Sequence, residues 1–256
     1  MRNVFCIFAL LCTSVYAFDV TDPSRDLERL VNVQKVVAEA LLRSLQFFQQ
    51  ETTQKLEIKL NELKTEALVD IHTTINTAFE QVNLAINKGK EEGKSVNQCE
   101  AYARNKLEMK NTNAIAGLDT CAQNGHTAME EPLANVAKSV EAVQKLLIDL
   151  DVIVPNCYSP SFIKMRACVV ANLYLTRSSL KRIESNAKQV TGTAAVTYAK
   201  TIIDVRSCIA INTSDVRTSS TNIIIFTDNC IRNAPKDILK PTTNLYPFYL
   251  SNFALN

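Results

Sequence analysis

The chain has 256 residues, 46% hydrophobic and 21% charged, with 28 Lys and Arg against 26 Asp and Glu for a net charge of +2. That balance leaves enough apolar surface for a core, excludes an intrinsically disordered chain, and lacks the basic excess that would mark a nucleic-acid partner through a whole-chain field. Only 5 Gly and 7 Pro are present, which excludes collagen-like chains and turn-dense β-sandwiches and leaves an all-α reading.

Residues 1–17 read as a secretory signal peptide. Arg2 precedes an apolar run from Val4 to Leu11, and Val15-Tyr16-Ala17 sets a cleavage site between Ala17 and Phe18. No later window holds 18 consecutive apolar residues, so no transmembrane segment is expected in the mature chain, which is read as secreted and extracellular. Cleavage removes Cys6 and Cys12 and leaves Cys99, Cys121, Cys157, Cys168, Cys208 and Cys230. In an oxidising compartment six cysteines imply three disulfides, whose connectivity the sequence leaves open.

Residues 18–94 are expected to form a long amphipathic, coiled-coil-like helical arm and linker. Ser24 to Lys88 contains no Gly or Pro, and apolar residues recur by threes and fours from Val37 through Leu56, Leu60, Leu63, Ala67, Ile71 and Ile75 to Ile86. Thr52 keeps the phase across Gln49–Gln54, which favours one continuous helix over a hairpin. Such a helix of about 62 residues is about 93 Å long, against about 45 Å for a compact domain of this mass. The element must therefore project as an arm or fold back. Fours outnumber threes beyond what a heptad allows, so a strict two-stranded coil is not supported.

Residues 95–235 are expected to be a disulfide-stapled helical bundle. One helix runs from Ser95 to a stop at Asn124-Gly125, and the next starts at Pro132 and ends near Leu150. Ser159-Pro160 opens another reaching about Val190. Gly192 separates it from a helix ending near Ile211, before a polar loop over Asn212–Asn222. Ile223-Ile224-Ile225-Phe226 is β-branched, but a lone strand has no partner, and helix is preferred. Residues 236–256 form an aromatic tail.

Cys99 to Cys121 and Cys208 to Cys230 are both separated by 22 residues. Within one unbroken helix such a pair would stand about 33 Å apart, so a bridge needs a hairpin between them. The polar loop supplies one for Cys208 with Cys230, the best supported pairing. Between Cys99 and Cys121 the Asn111-Thr112-Asn113 break is weaker, which leaves a bridge from either cysteine to another helix open, and Cys157 with Cys168, enclosing a proline turn, is open to local closure or to a bridge elsewhere. Asn212-Thr213-Ser214 is a candidate N-glycosylation site on the expected loop.

No catalytic, cofactor or metal residues are assigned. The histidines, His72 and His126, stand far from any cysteine cluster, and there is no Cys-x-x-Cys, His-Glu-x-x-His or Gly-rich phosphate loop. Carboxylate pairs such as Glu91-Glu92 and Glu130-Glu131 fall at helix ends, where solvated acids are expected. The chain is read as a non-enzyme without cofactor. An insect odorant-binding layout is excluded, since it needs two cysteines separated by three residues.

The segments Cys99-Glu-Ala-Tyr through Cys121, Pro155-Asn-Cys-Tyr, Arg166-Ala-Cys168 and Cys208 to Cys230 resemble the TsetseEP-domain family of secreted insect proteins, over roughly residues 95–235. The resemblance lies in cysteine layout and helical composition, and the Glu-Pro repeat of the family's name-giving member is absent. It implies an extracellular, disulfide-bonded helical protein of gut, gland or reproductive secretion, with no catalytic residues to transfer. The expectation is a secreted helical protein acting through an extracellular protein partner or through self-association. The alternative is an extracellular carrier of lipid or another hydrophobic ligand.

Overall fold

The computed structural model describes residues 23–236 and is all-α: α1 (Pro23–Glu91), α2 (Asn97–Asp151), the short α3 (Ile153–Asn156) and α4 (Phe162–Asn233). Among the described residues no strand forms, and Lys94 with Lys236 makes an isolated antiparallel bridge. The signal segment with Ala17 and Phe18, and the tail from residue 237 onward, lie outside the described residues.

α1 is one helix of 69 residues, as its periodicity indicates. Thr52, at the polar interruption, is buried within the apolar row. Asp26 lies in the first turn and Lys88 and Lys90 in the last, each facing the dipole end of opposite sign. The helix stops at Gly93, whose φ of 72° is the left-handed conformation that glycine adopts without a Cβ penalty. Gly93 N donates to Lys90 O and Lys94 N to Gly89 O, a Schellman closure.

Of the breaks expected after α1, the one between Leu150 and Ser159-Pro160 occurs, with α2 ending at Asp151 and α4 starting at Phe162, and the others do not. α2 runs straight through Asn124-Gly125 and Pro132, and α4 runs through Gly192 and the whole of Asn212–Asn222. Buried positions explain why. In α2, Ala103, Ala114, Gly125 and Val136 are buried at steps of eleven, as are Leu107, Leu118 and Met129. In α4, Val205, Val216 and Thr227 repeat this, and Ile209, Ser220 and Ile231 do so again. In α1, Leu60, Ile71 and Val82 share the same step. Eleven residues make three turns at about 3.67 per turn, close to the natural helix, so each row stays on one face of a nearly untwisted helix. Gly125 is a small residue on the buried face, and Ser220 and Thr227 are core positions filled by hydroxyls. Local turn propensity yields to this tertiary burial.

The contacts divide the chain into two compact units, residues 23–59 with 124–203 and residues 60–123 with 204–236. The expected boundary between an arm ending at 94 and a domain starting at 95 is therefore not the one the fold makes. α1 contributes to the core of each unit, because its apolar row is buried along its length. In the first unit Leu27, Val31, Ala38 and Leu45 of α1 pack with Val136, Val143, Leu146 and Leu150 of α2 and Met165, Val169, Leu180, Ala187 and Ala194 of α4. In the second, Leu60, Ile71, Val82 and Ile86, then Leu107 and Leu118, then Val205 and Val216 are buried.

Candidate functional site

The six cysteines form three disulfides: Cys99–Cys230, Cys121–Cys208 and Cys157–Cys168. The preferred pairing of Cys208 with Cys230 is thus overturned. Both residues lie in α4 with no loop between, about 33 Å apart along the helix by its rise. The equal 22-residue spacings have a different meaning. Twenty-two residues is two steps of eleven, so Cys99 and Cys121 share one face of α2, and Cys208 and Cys230 share one face of α4. Set antiparallel, the two helices align both pairs, and the disulfides form two rungs with Cα–Cα distances of 5.8 Å. In the other unit Cys157–Cys168 closes locally across the proline turn into α4. Asn172 Nδ2 donates to Cys168 O at 3.0 Å there, and Ser161 N donates to Ser159 Oγ at 3.2 Å.

Between the two rungs α2 and α4 approach closely at Gly117. A Cβ on Gly117 would stand 3.1 Å from Asn212 Cγ and nearer still to Nδ2. Asn212 Nδ2 donates to Ala114 O at 2.8 Å. The sequon is therefore not on a loop: Asn212 is half-buried inside α4, with its amide turned toward α2. The atom that would carry an N-glycan is the one making this contact, and the facing Gly117 leaves it no room. We expect peptide mass mapping of the protein produced through a eukaryotic secretory pathway, with and without peptide N-glycosidase, to find Asn212 unmodified. A fully occupied Asn212 would mean that α2 and α4 do not meet in this way.

The remaining inter-helix polar contacts set register. In the second unit Arg217 donates to both oxygens of Asp70 at 2.8 and 2.7 Å, Lys110 pairs with Asp215, and Lys64 with Asp119. Glu100 accepts from Lys90 at 2.8 Å and from Arg104 at 3.1 Å, and Arg104 also reaches Asn83. The Lys90 hydrogen bond holds the Glu100 carboxyl below its ordinary value, and the Lys110 hydrogen bond does the same for Asp215. These pairs are exposed, where ion pairs are screened by solvent and add little, so they select alignment more than they add stability. Tyr102 and Phe226 bring α2 and α4 together again, with ring centroids 4.4 Å apart.

His72 and His126 are both exposed. Among the described residues no group of three or more metal-ligating side chains converges, and no helix is long and apolar enough to cross a membrane. One feature readable in the sequence was missed there. From Val152 to Ile183 there is no acid, while Lys164, Arg166, Arg177, Lys181 and Arg182 supply five cations. Charge counted in windows, and not over the whole chain, would have found it. Compared with known proteins, the chain matches no family model and no curated protein sequence.

Proposed function

We propose that the protein is a secreted, non-enzymatic helical protein that acts through the outer faces of closed helical units, binding another extracellular protein or a second copy of itself. The observation that carries this reading is the burial of the α1 apolar row: Leu27, Val31, Leu45, Leu60, Ile71, Val82 and Ile86 all face other helices of the chain. A carrier of the exchangeable kind would offer that row to lipid. Here it is already used, and two disulfides tie α2 to α4 where a helix pair would have to part. Three disulfides are compatible with an oxidising compartment, and the TsetseEP-like cysteine layout supports an insect gut, gland or reproductive secretion as the setting.

The test is organic extraction of the purified native protein, with mass spectrometry of the extract and light scattering on a sizing column. We expect less than about one tenth of a mole of lipid per mole of protein, and a defined monomer or oligomer mass. Stoichiometric co-purifying lipid would overturn this reading in favour of the carrier.

A further inference from the structure

Five cations pair with acids across the helices: Lys35 with Asp151, Lys64 with Asp119, Lys90 with Glu100, Lys110 with Asp215 and Arg217 with Asp70. Residues 162–182 of α4 differ in holding five cations and no acid. Lys164, Arg166, Arg177, Lys181 and Arg182 are exposed, and none makes an ion pair among the described residues. The acids that precede this stretch are Asp149 and Asp151, and Asp151 is engaged by Lys35 at 2.5 Å.

These cations surround apolar side chains that the fold leaves in solvent. Ile163 is 80% exposed, Val170 50% and Tyr174 73%. At 100° per residue, Ile163, Val170, Tyr174 and Lys181 fall within about 40° of one another. Their face is turned away from the row Met165, Val169 and Leu180 that fills the core of this unit. Small Ala167 and Ala171 lie among them and are also exposed. Arg166 and Arg177 line one edge, while Lys164 and Arg182 line the other with Leu175, itself 63% exposed. The turn that leads into this helix, closed by Cys157–Cys168, adds exposed Tyr158, and the first residue of the helix, Phe162, is exposed beside it in sequence.

An apolar centre with a tyrosine, basic edges on both sides and no acid in the 32-residue stretch 152–183 is the pattern of a helix lying in a bilayer interface. We propose that this outer face of α4, residues 163–182, docks the intact helical unit on an anionic lipid surface, with Ile163, Val170 and Tyr174 entering the headgroup region and the five cations meeting lipid phosphates and carboxylates. A soluble acidic partner would satisfy the cations, but would give no role to an exposed isoleucine and valine at the centre of the face. The proposal goes beyond binding of a protein partner, and its failure would leave that reading standing, since the two are tested by different measurements.

Sedimentation with vesicles tests it, using phosphatidylcholine alone and phosphatidylcholine with 30% phosphatidylserine, at low salt and at high salt. The protein is expected to bind the anionic vesicles, to bind the neutral ones at least tenfold more weakly, and to be released by salt. The chain contains no tryptophan, so Tyr174→Trp supplies a unique reporter whose emission should move to shorter wavelength on the anionic vesicles. Arg177→Gln with Lys181→Gln should weaken partitioning about 25-fold, at about fivefold per cation. Arg43→Gln with Lys138→Gln removes the same charge outside this face and should change it less than threefold. All four cations are exposed, and circular dichroism confirms that each variant folds. Four results would overturn the proposal: no vesicle binding, equal binding to both compositions, an unshifted reporter, or equal losses in the two double variants. Binding to heparin without binding to vesicles would overturn it in favour of a soluble polyanion.

Discussion

Replacing Cys99 and Cys230 together by alanine is expected to lower the unfolding free energy by about 4 kcal/mol, measured by urea denaturation at neutral pH. The two residues are separated by 131 positions, and a loop of that length closed alone would stabilise by about 5 kcal/mol in the chain-entropy account. The inner rung, Cys121–Cys208, short-circuits it. With that bridge intact, the outer disulfide closes a ring of about 44 residues, 22 on each helix, which gives about 4 kcal/mol. Removing Cys157 and Cys168 opens an 11-residue loop and should cost about 3 kcal/mol. The order matters more than the sizes. If the pairing were instead within α4 and within α2, each lost loop would span 22 residues and the Cys99/Cys230 double variant would break two bridges at once. Peptide mapping without reduction distinguishes the cases directly, and a linkage of Cys208 to Cys230 would refute the ladder.

Gly117→Ala is expected to destabilise the protein by about 1–2 kcal/mol, whereas Gly192→Ala is expected to stabilise it by about 0.5–1 kcal/mol. Both glycines lie inside helices, where alanine is intrinsically better by up to about 1 kcal/mol. Gly192 is exposed, and a Cβ there meets nothing within 4 Å, so the propensity gain is realised. At Gly117 the new methyl meets the Asn212 side chain. Either Asn212 swings out, losing its bond to Ala114 O, worth about 1 kcal/mol, together with the packing it made, or the helices part, at about 1–3 kcal/mol for overpacking. In an Asn212→Ala background the obstruction is gone, and Gly117→Ala should become neutral or favourable. The resulting coupling, about 2 kcal/mol in a double-mutant cycle, is what two side chains in contact produce. Additive effects at the two positions would show that α2 and α4 are farther apart than described.

Helical class and the continuity of α1 were legible in the sequence because both depend on local pattern. The apolar row across Thr52 kept its phase whatever packed against it. The break between Leu150 and Pro160 was legible too, but the other stops expected beyond α1 are not helix ends. Asn124-Gly125, Pro132, Gly192 and Asn212–Asn222 are stop signals when judged by propensity, which differs by only about 1 kcal/mol per residue between glycine and alanine. Burial of a leucine or methionine on the same helix outweighs that, at about 1.5–3 kcal/mol for each side chain. Leu118 and Met129, on either side of Gly125, therefore hold α2 together through it. The eleven-residue spacing that would have revealed this is present in the sequence, but it becomes visible only when small residues and hydroxyls, such as Ala114, Gly125, Ser220 and Thr227, are counted as buried.

The basic apolar face on α4 has the same double character. Its charge segregation is written in the order of residues, from Val152 to Ile183, but whether Ile163, Val170 and Tyr174 face a core or the solvent depends on which side of α4 the other helices occupy. The sequence by itself determined that the chain is helical and that six of its cysteines lie after residue 98, and it favoured an unbroken α1, because periodicity, composition and count are local properties. Only the tertiary structure decided which cysteines pair, that Asn212 faces Gly117 and which apolar rows remain uncovered. Each of these depends on the relative alignment of helices far apart in sequence, and that alignment is set by burial summed over many turns, which no single stretch of residues contains.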